Sequence, residues 1–257
     1  VPTGINRNMR AALKQWWSAI DAQVRRAAQD ELPENHLLSK LLQLRQAGSA
    51  SAMTRSELND ELATWLLTGT ETTANTLAWT CYLLARDAQQ QAQLYEQVQS
   101  ALQGQLPGRA DLKRLPQLEA VLWEAMRLYP QAYLIGRKAV ESFVIDGYHF
   151  PEKTTLILNQ WSIGRDPRWF REPTRFDPGR WRDGLPGDLP KFAFFPFGGG
   201  GRICLGRSLA QLEMPLVLAM LLQRFRFELG AQPSVRPCPS LTLRPEFGRG
   251  AIRVMRR

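Results

Sequence analysis

The stretch Phe197-Gly198-Gly199-Gly200-Gly201-Arg202-Ile203-Cys204-Leu205-Gly206 gathers a lone cysteine, an arginine and a run of glycines. Glycine carries no Cβ and tolerates positive φ, so such a loop lets the backbone approach a flat ligand closely. An apolar, helix-competent run follows Cys204, beginning at Leu205 and including Leu209, Leu212 and Leu216. A thiol just ahead of a helix sits near the positive end of its dipole, which favours the thiolate. Arg202 offers a fixed cationic fork for a carboxylate. These residues suit a planar, apolar, metal-bearing ligand held through sulfur. Most lone cysteines are buried and structural, and most glycine runs are plain loops. The combination Phe-x-x-Gly-x-Arg-x-Cys-x-Gly (Phe197, Gly200, Arg202, Cys204, Gly206) is much more specific than either part.

Two further constellations carry chemistry. Glu124-Ala125-Met126-Arg127 places an acid and a base at i and i+3 on one helix face. Alone, such a pair is an ordinary surface contact worth roughly a few tenths of a kcal/mol. Here Leu128-Tyr129-Pro130 follows it, and Phe176-Asp177-Pro178-Gly179-Arg180-Trp181 lies downstream. Thr68-Gly69-Thr70-Glu71-Thr72-Thr73 interrupts a long helical segment with threonines, a glycine and an acid. The threonine hydroxyls could simply bond back to carbonyls one turn earlier. Such a local conflict with helix-forming composition is also expected at a functional site.

The cysteine loop closely resembles the haem-binding signature of the cytochrome P450 family, the haem-thiolate monooxygenases. That resemblance implies that Cys204 is the axial metal ligand of haem b (iron protoporphyrin IX) and that Arg202 pairs with a haem propionate. Arg137, seven residues past Pro130, matches a second propionate-binding arginine. Phe197, Gly198 and Gly206 would shape the loop, with Phe197 shielding the sulfur. The Thr68–Thr73 segment resembles the family's oxygen-activation helix. By that match Gly69 lets the helix open over the haem, Thr72 hydrogen-bonds the oxygen, and Glu71 belongs to the proton relay. Thr68 departs from the usual alanine or glycine. Glu124, Arg127 and Arg180 match a buried structural triad behind the haem loop, and Gly179 stands where many members carry glutamate. Ala132, Tyr133, Leu134 and Ile135 either line a substrate pocket or pack in the core.

The elements that position these residues are mainly helical in the first half. Apolar residues at near-helical spacing predict a helix from Asn6 to about Asp30, and Leu37 to Gln46 is a second apolar segment. Gly48 to Ala52 reads as a loop of small residues. Thr54-Arg55-Ser56-Glu57 offers helix-start chemistry for a long helix from Ser56 to about Arg86. Further helices are expected near Ala88 to Leu102, from Leu115-Pro116 to before Pro130, and after Cys204 to about Arg224. Ala139 to Phe150 and Thr154 to Leu158 read as short strands with an Asp146-Gly147 turn. Residues 164–201 read as an ordered meander. Leu241-Thr242-Leu243 and Ile252-Arg253-Val254 read as a C-terminal hairpin.

Size and composition narrow the class. The chain has 257 residues, 44% hydrophobic, enough for one large globular domain. Three cysteines (Cys81, Cys204, Cys238) without CxxC spacing argue against a disulfide framework or a structural zinc site. The net charge is +9, without a lysine-rich tail. From Gln160 to Arg207 nine Lys/Arg face five Asp/Glu, a net of +4 around the cysteine loop. That balance suggests a docking face for an acidic electron-transfer protein, against the plainer reading of a solvated basic surface. No apolar run reaches membrane-span length and the start does not read as a signal peptide. A cytoplasmic location is therefore expected, with upstream anchoring left open by a start at Val1.

The expected fold is mainly α with small β-sheets: residues 1–257 as the C-terminal portion of a single haem-thiolate monooxygenase domain, without its N-terminal half. The resemblance implies insertion of one oxygen atom from O₂ into a small apolar substrate. Electrons would come from NAD(P)H through an acidic redox partner, ferredoxin- or flavodoxin/reductase-like; no nucleic acid is expected. Two other readings stand beside it. One is a truncated, non-catalytic remnant. The other is a haem-thiolate enzyme that rearranges peroxides, which would have no need of Thr72 and Glu71.

Overall fold

The computed structural model describes residues 4–29, 32–33, 36–46 and 53–257. The expected helix end at Asp30 and the loop Gly48 to Ala52 lie outside the described residues. The chain divides into two compact units, Val1–Thr70 and Glu71–Arg257, the division falling within one long helix.

The first unit holds α1 (Gly4–Gln29), α2 (Leu37–Gln46) and the start of α3 (Arg55–Arg86). Val24, Leu41 and Leu58 form its small core, one residue from each helix. The start of α3 is a reciprocal cap. Thr54 N–H donates to Glu57 Oε2 at 2.7 Å, and Glu57 N–H donates to Thr54 Oγ1 at 3.2 Å.

The second unit continues α3 and adds α4 (Ala88–Leu102), α5 (Pro116–Leu128), α6 (Gln160–Ile163) and α7 (Arg207–Arg224). Leu84, Leu94, Val98, Leu118, Val121, Leu122, Leu218 and Leu222 interlock as its main core. Pro215 lies inside α7 without ending it; the residue is buried, and that packing offsets the lost backbone donor. Gln91 is buried on α4 and fully satisfied. Its Nε2 donates to the carbonyls of Leu84 and Phe227, and its Oε1 accepts from Phe227 N–H at 2.8 Å.

Four two-stranded antiparallel sheets complete this unit. β1 (Leu134–Lys138) pairs with β4 (Thr155–Asn159), placing Arg137 opposite Leu156. β1 lies in a stretch that the sequence pattern does not mark as a strand. β2 (Phe143–Ile145) and β3 (Tyr148–Phe150) form a hairpin. Asp146 and Gly147 both take positive φ at its turn, the conformation that a two-residue hairpin loop demands.

The C-terminal segment differs from the expected hairpin. β5 (Phe225–Leu229) pairs with β8 (Ile252–Arg256), and β6 (Val235–Pro239) pairs with β7 (Leu243–Phe247). The two tail strands thus take earlier partners and do not pair with each other. β5 leaves α7 directly and buries Phe227, while Gly230 N–H bonds the Ala251 carbonyl at 2.9 Å. A Cβ at Gly230 would meet the Gly250 carbonyl oxygen at 1.8 Å, so only glycine lets β5 and β8 close there.

Candidate functional site

The cysteine loop runs from Phe197 to the start of α7. Gly198 and Gly200 take φ of +72° and +67°, which a side chain would resist. The turn is held by backbone bonds: Gly198 N–H to Phe195 O at 2.8 Å, and Cys204 N–H to Phe197 O at 2.9 Å. Cys204 itself is exposed. Gly206 caps α7, whose first residue is Arg207. The helix therefore starts two residues later than the apolar run suggests. Leu205 stays in the turn and is 92% exposed, with Ile203 also exposed. Phe197 is half-buried against the main core, with the Arg207 guanidinium 6.0 Å from its ring centre.

The other thiols differ. Cys81 packs beside the main core, and burial pushes its thiol up to about 12. Cys238 lies on β6, half-buried.

The cations expected to hold carboxylates are available for that task. Arg202, in a short 3-10 turn, makes no hydrogen bond or ion pair among the described residues. Arg137 donates to the Gly136 carbonyl at 2.9 Å and pairs with no carboxylate among the described residues. Ala132 and Leu134 beside it are exposed, and Tyr133 and Ile135 are half-buried. Haem carries apolar faces, two carboxylates and a thiophilic metal. An exposed thiol, an apolar rim of Ile203 and Leu205, a side-chain-free glycine backbone and two arginines without acid partners fit that group.

The threonine-rich part of α3 remains regular helix. Thr64, Thr68, Thr76 and Thr80 each donate to the carbonyl four residues back, at 2.7 to 2.9 Å. This back-bonding removes the cost of burying Thr76 and Thr80. Thr68 spends its hydroxyl this way. At Gly69 a Cβ would meet nothing within 4 Å. Thr72 is half-buried, and its carbonyl accepts the Thr76 hydroxyl at 2.9 Å. Glu71 is half-buried too, and its Oε1 accepts the Thr242 hydroxyl at 2.6 Å. Thr242 is 6% exposed and belongs to the turn before β7. The sequence marks it only as part of a strand. The available signal was a lone hydroxyl between Leu241 and Leu243, a polar group that burial obliges to find a partner.

The structure brings Glu124, Arg127 and Arg180 together. Glu124 and Arg127 are 0% and 1% exposed on α5. All five guanidinium protons of Arg127 are used. Nε and Nη2 grip the two Glu124 oxygens at 2.8 and 2.7 Å. Nη1 donates to the carbonyls of Gly164 and Pro173 at 2.5 and 2.6 Å, and Nη2 also to that of Arg175 at 3.0 Å. The Glu124 carboxylate accepts three more donors: Asp177 N–H at 2.9 Å, Arg180 Nε at 3.3 Å and Trp181 Nε1 at 2.9 Å. The indole of Trp181 was missed as a donor, although it adjoins Arg180 in the sequence. Gly164 must be glycine, because a Cβ there would meet the Arg127 carbonyl oxygen at 2.6 Å. A buried ion pair is tolerable only when its remaining lone pairs and protons are matched, as they are here. The pair thereby ties α5 to the meander that leads to the cysteine loop.

The family model for Cytochrome P450 matches residues 1–249. A Mycobacterium tuberculosis protein described as a cytochrome P450 is 39% identical over 194 residues, 76% of this chain and 42% of its own length. Pentalenene oxygenase of Streptomyces avermitilis is 31% identical over 243 residues, 95% of this chain and 54% of its own length. A solved zebra fish cytochrome P450 with progesterone matches at TM-score 0.85 and 27% identity, over 99% of this chain and 59% of that one. The chain spans about half the length of the curated relatives it matches. Its match to the family over nearly every residue, together with the glycine-cradled thiol and the buried acid–base pair, means that this chain belongs to the cytochrome P450 family.

Proposed function

We propose that this chain carries the metal ligand and proton-delivery residues of a haem-dependent monooxygenase. The reaction takes a substrate C–H bond, O₂, two electrons and two protons to an alcohol and water. The observation that carries this reading is the exposed Cys204 thiol on a loop fixed by its bond to the Phe197 carbonyl. When bound, the haem supplies the electron and oxygen chemistry, and the protein supplies binding, orientation and electrostatics.

Cys204 holds the metal through its thiolate. Arg202 and Arg137 bind the two propionates. Glu71 holds a proton at Oε2, the oxygen that Thr242 leaves free, and Thr72 passes protons onward by its hydroxyl. Glu124, Arg127 and Arg180 keep the meander and the cysteine loop in register. The two protons consumed with each substrate need a delivery route, which Glu71 and Thr72 supply; a peroxide-rearranging enzyme would need neither.

A small apolar substrate agrees with the pentalenene of one relative and the progesterone of the solved structure. An acidic ferredoxin- or flavodoxin/reductase-like donor, drawing on NAD(P)H, suits the basic segment around Cys204. Arg168 and Arg175 there are tied to Asp166 and Glu172, and Arg165 stacks on Trp161. Arg171, Arg182, Lys191 and Arg202 have no acid partner among the described residues and remain for docking. Among the described residues no helix is long and apolar enough to cross a membrane.

Cys204→His tests the reading. In the haem-loaded enzyme it is expected to abolish the strongly red-shifted Soret band of the ferrous carbonyl complex. Retention of that band would assign the thiolate to another residue. Haem content of the purified 257-residue chain separates an enzyme from a non-catalytic remnant.

A further inference from the structure

Three residues on one face of α3 meet a single turn near the C-terminus. Glu71, Asn75 and Trp79 follow one another at i, i+4 and i+8, so they stack along one side of the helix. Glu71 Oε1 accepts from the Thr242 hydroxyl at 2.6 Å. Asn75 Nδ2 donates to that same hydroxyl at 3.1 Å. Trp79 Nε1 donates to the neighbouring Leu243 carbonyl at 2.9 Å.

The turn that presents Thr242 is itself pinned. Leu243 N–H bonds the Gln131 carbonyl at 3.1 Å, and Tyr133 Oη donates to the Ser240 carbonyl at 3.0 Å. Ser240 N–H closes on the Thr242 carbonyl at 3.1 Å. Trp79 is buried and stacked on Tyr129 at 3.8 Å, so the indole that holds the turn cannot swing.

The direction of the bonds follows from the groups. An amide nitrogen only donates, and a carboxylate only accepts. Thr242 Oγ1 takes its proton from neither; it accepts from Asn75 and must spend its single proton on Glu71. The 2.6 Å separation lies at the short end of the O–H···O range. One carboxylate oxygen is thereby fixed; Oε2 makes no hydrogen bond among the described residues, and the Arg244 guanidinium is near enough to interact with the group through space.

We propose that Thr242 is a positioning residue for proton delivery: its hydroxyl, oriented by Asn75, holds the Glu71 carboxylate so that Oε2 faces the relay. This rests on the reading of Glu71 as proton carrier. Thr242 acts only through Glu71, and its place in a pinned turn means the orientation is built before substrate arrives.

The test compares Thr242→Val, Thr242→Ala, Thr242→Ser and Glu71→Gln in the haem-loaded enzyme, reading product formed per electron consumed. Thr242→Val and Thr242→Ala should keep the haem spectrum and lose product per electron several-fold, the surplus electrons appearing as hydrogen peroxide. Thr242→Ser should restore the parent value, and the D₂O effect on turnover should rise in the first two only. Thr242→Ala guards against failure of the valine variant, since it sets no methyl against the carboxylate. A readout independent of turnover is the thermal midpoint. The drop in Thr242→Ala combined with Glu71→Ala, which removes the acceptor, should be smaller than the sum of the single drops. Parent-level product per electron in Thr242→Val and Thr242→Ala, with Glu71→Gln impaired, overturns the positioning role and leaves Glu71 as carrier. Parent-level behaviour of Glu71→Gln overturns the carrier reading and this proposal with it. Additive midpoint drops, or a serine variant as impaired as alanine, also overturn it.

Discussion

Replacing Arg127 by lysine keeps the charge and tests whether the fork geometry matters. Arg127 makes five hydrogen bonds: two to Glu124 and one each to the carbonyls of Gly164, Pro173 and Arg175. A lysine ammonium has three protons on one atom, so at least two of those buried acceptors lose their donor. Glu124 is partly insured, because Asp177 N–H, Arg180 and Trp181 still donate to it. The three carbonyls have no such insurance from Arg127's neighbours on α5. A lysine nitrogen held against Glu124 keeps at most two protons for the three carbonyls, so at least one loses its donor, at roughly 1–3 kcal/mol for each one lost. Against a native stability of roughly 5–15 kcal/mol this is severe. Equilibrium urea unfolding of the haem-loaded protein, followed by circular dichroism and the Soret band, reads the change. Lysine keeps a cation beside Glu124, so Arg127→Met, which removes that charge along with all five donors, should be at least as damaging. A stability for Arg127→Lys within about 0.5 kcal/mol of the parent, the range of an unremarkable surface change, would refute the reasoning.

Gly164→Ala should destabilise by about 1–3 kcal/mol, because its Cβ meets backbone oxygens that cannot give way; an unchanged melting midpoint would show that the meander moves freely. In the chain without haem at pH 8, iodoacetamide should label the exposed Cys204 and spare Cys81, whose pKa of about 12 leaves about one part in 10⁴ as thiolate. Equal labelling by mass spectrometry would contradict that burial. Electron delivery by an acidic donor should slow as salt rises, since the Debye length falls from roughly 30 Å at 0.01 M to about 10 Å at 0.1 M. A salt-independent reduction rate would leave the arginines near Cys204 as ordinary surface charge.

Local chemistry was legible in the sequence. The sequence puts an apolar segment where α2 lies and a helix near Ala88 to Leu102, where α4 lies. Thr54 and Glu57 mark the start of α3, and Asp146-Gly147 marks its hairpin, because caps and tight turns are decided by neighbouring residues. The Cys204 loop stood out by residue type and order, and the resemblance to the family added Glu124, Arg127 and Arg180. What the sequence left open depends on residues far apart in the chain. Strand partners in the tail could not be read from strand-like composition, since the pairing of β5 with β8 also needs the close approach of Gly230 to Gly250 just beyond their ladder. Nor could spacing show that Thr242 reaches Glu71 across 171 positions, or that Trp181 shares the Glu124 carboxylate. Buried polar atoms must find partners wherever the chain brings them, so the tertiary structure alone decides which donors complete Glu124 and which hydroxyl holds Glu71.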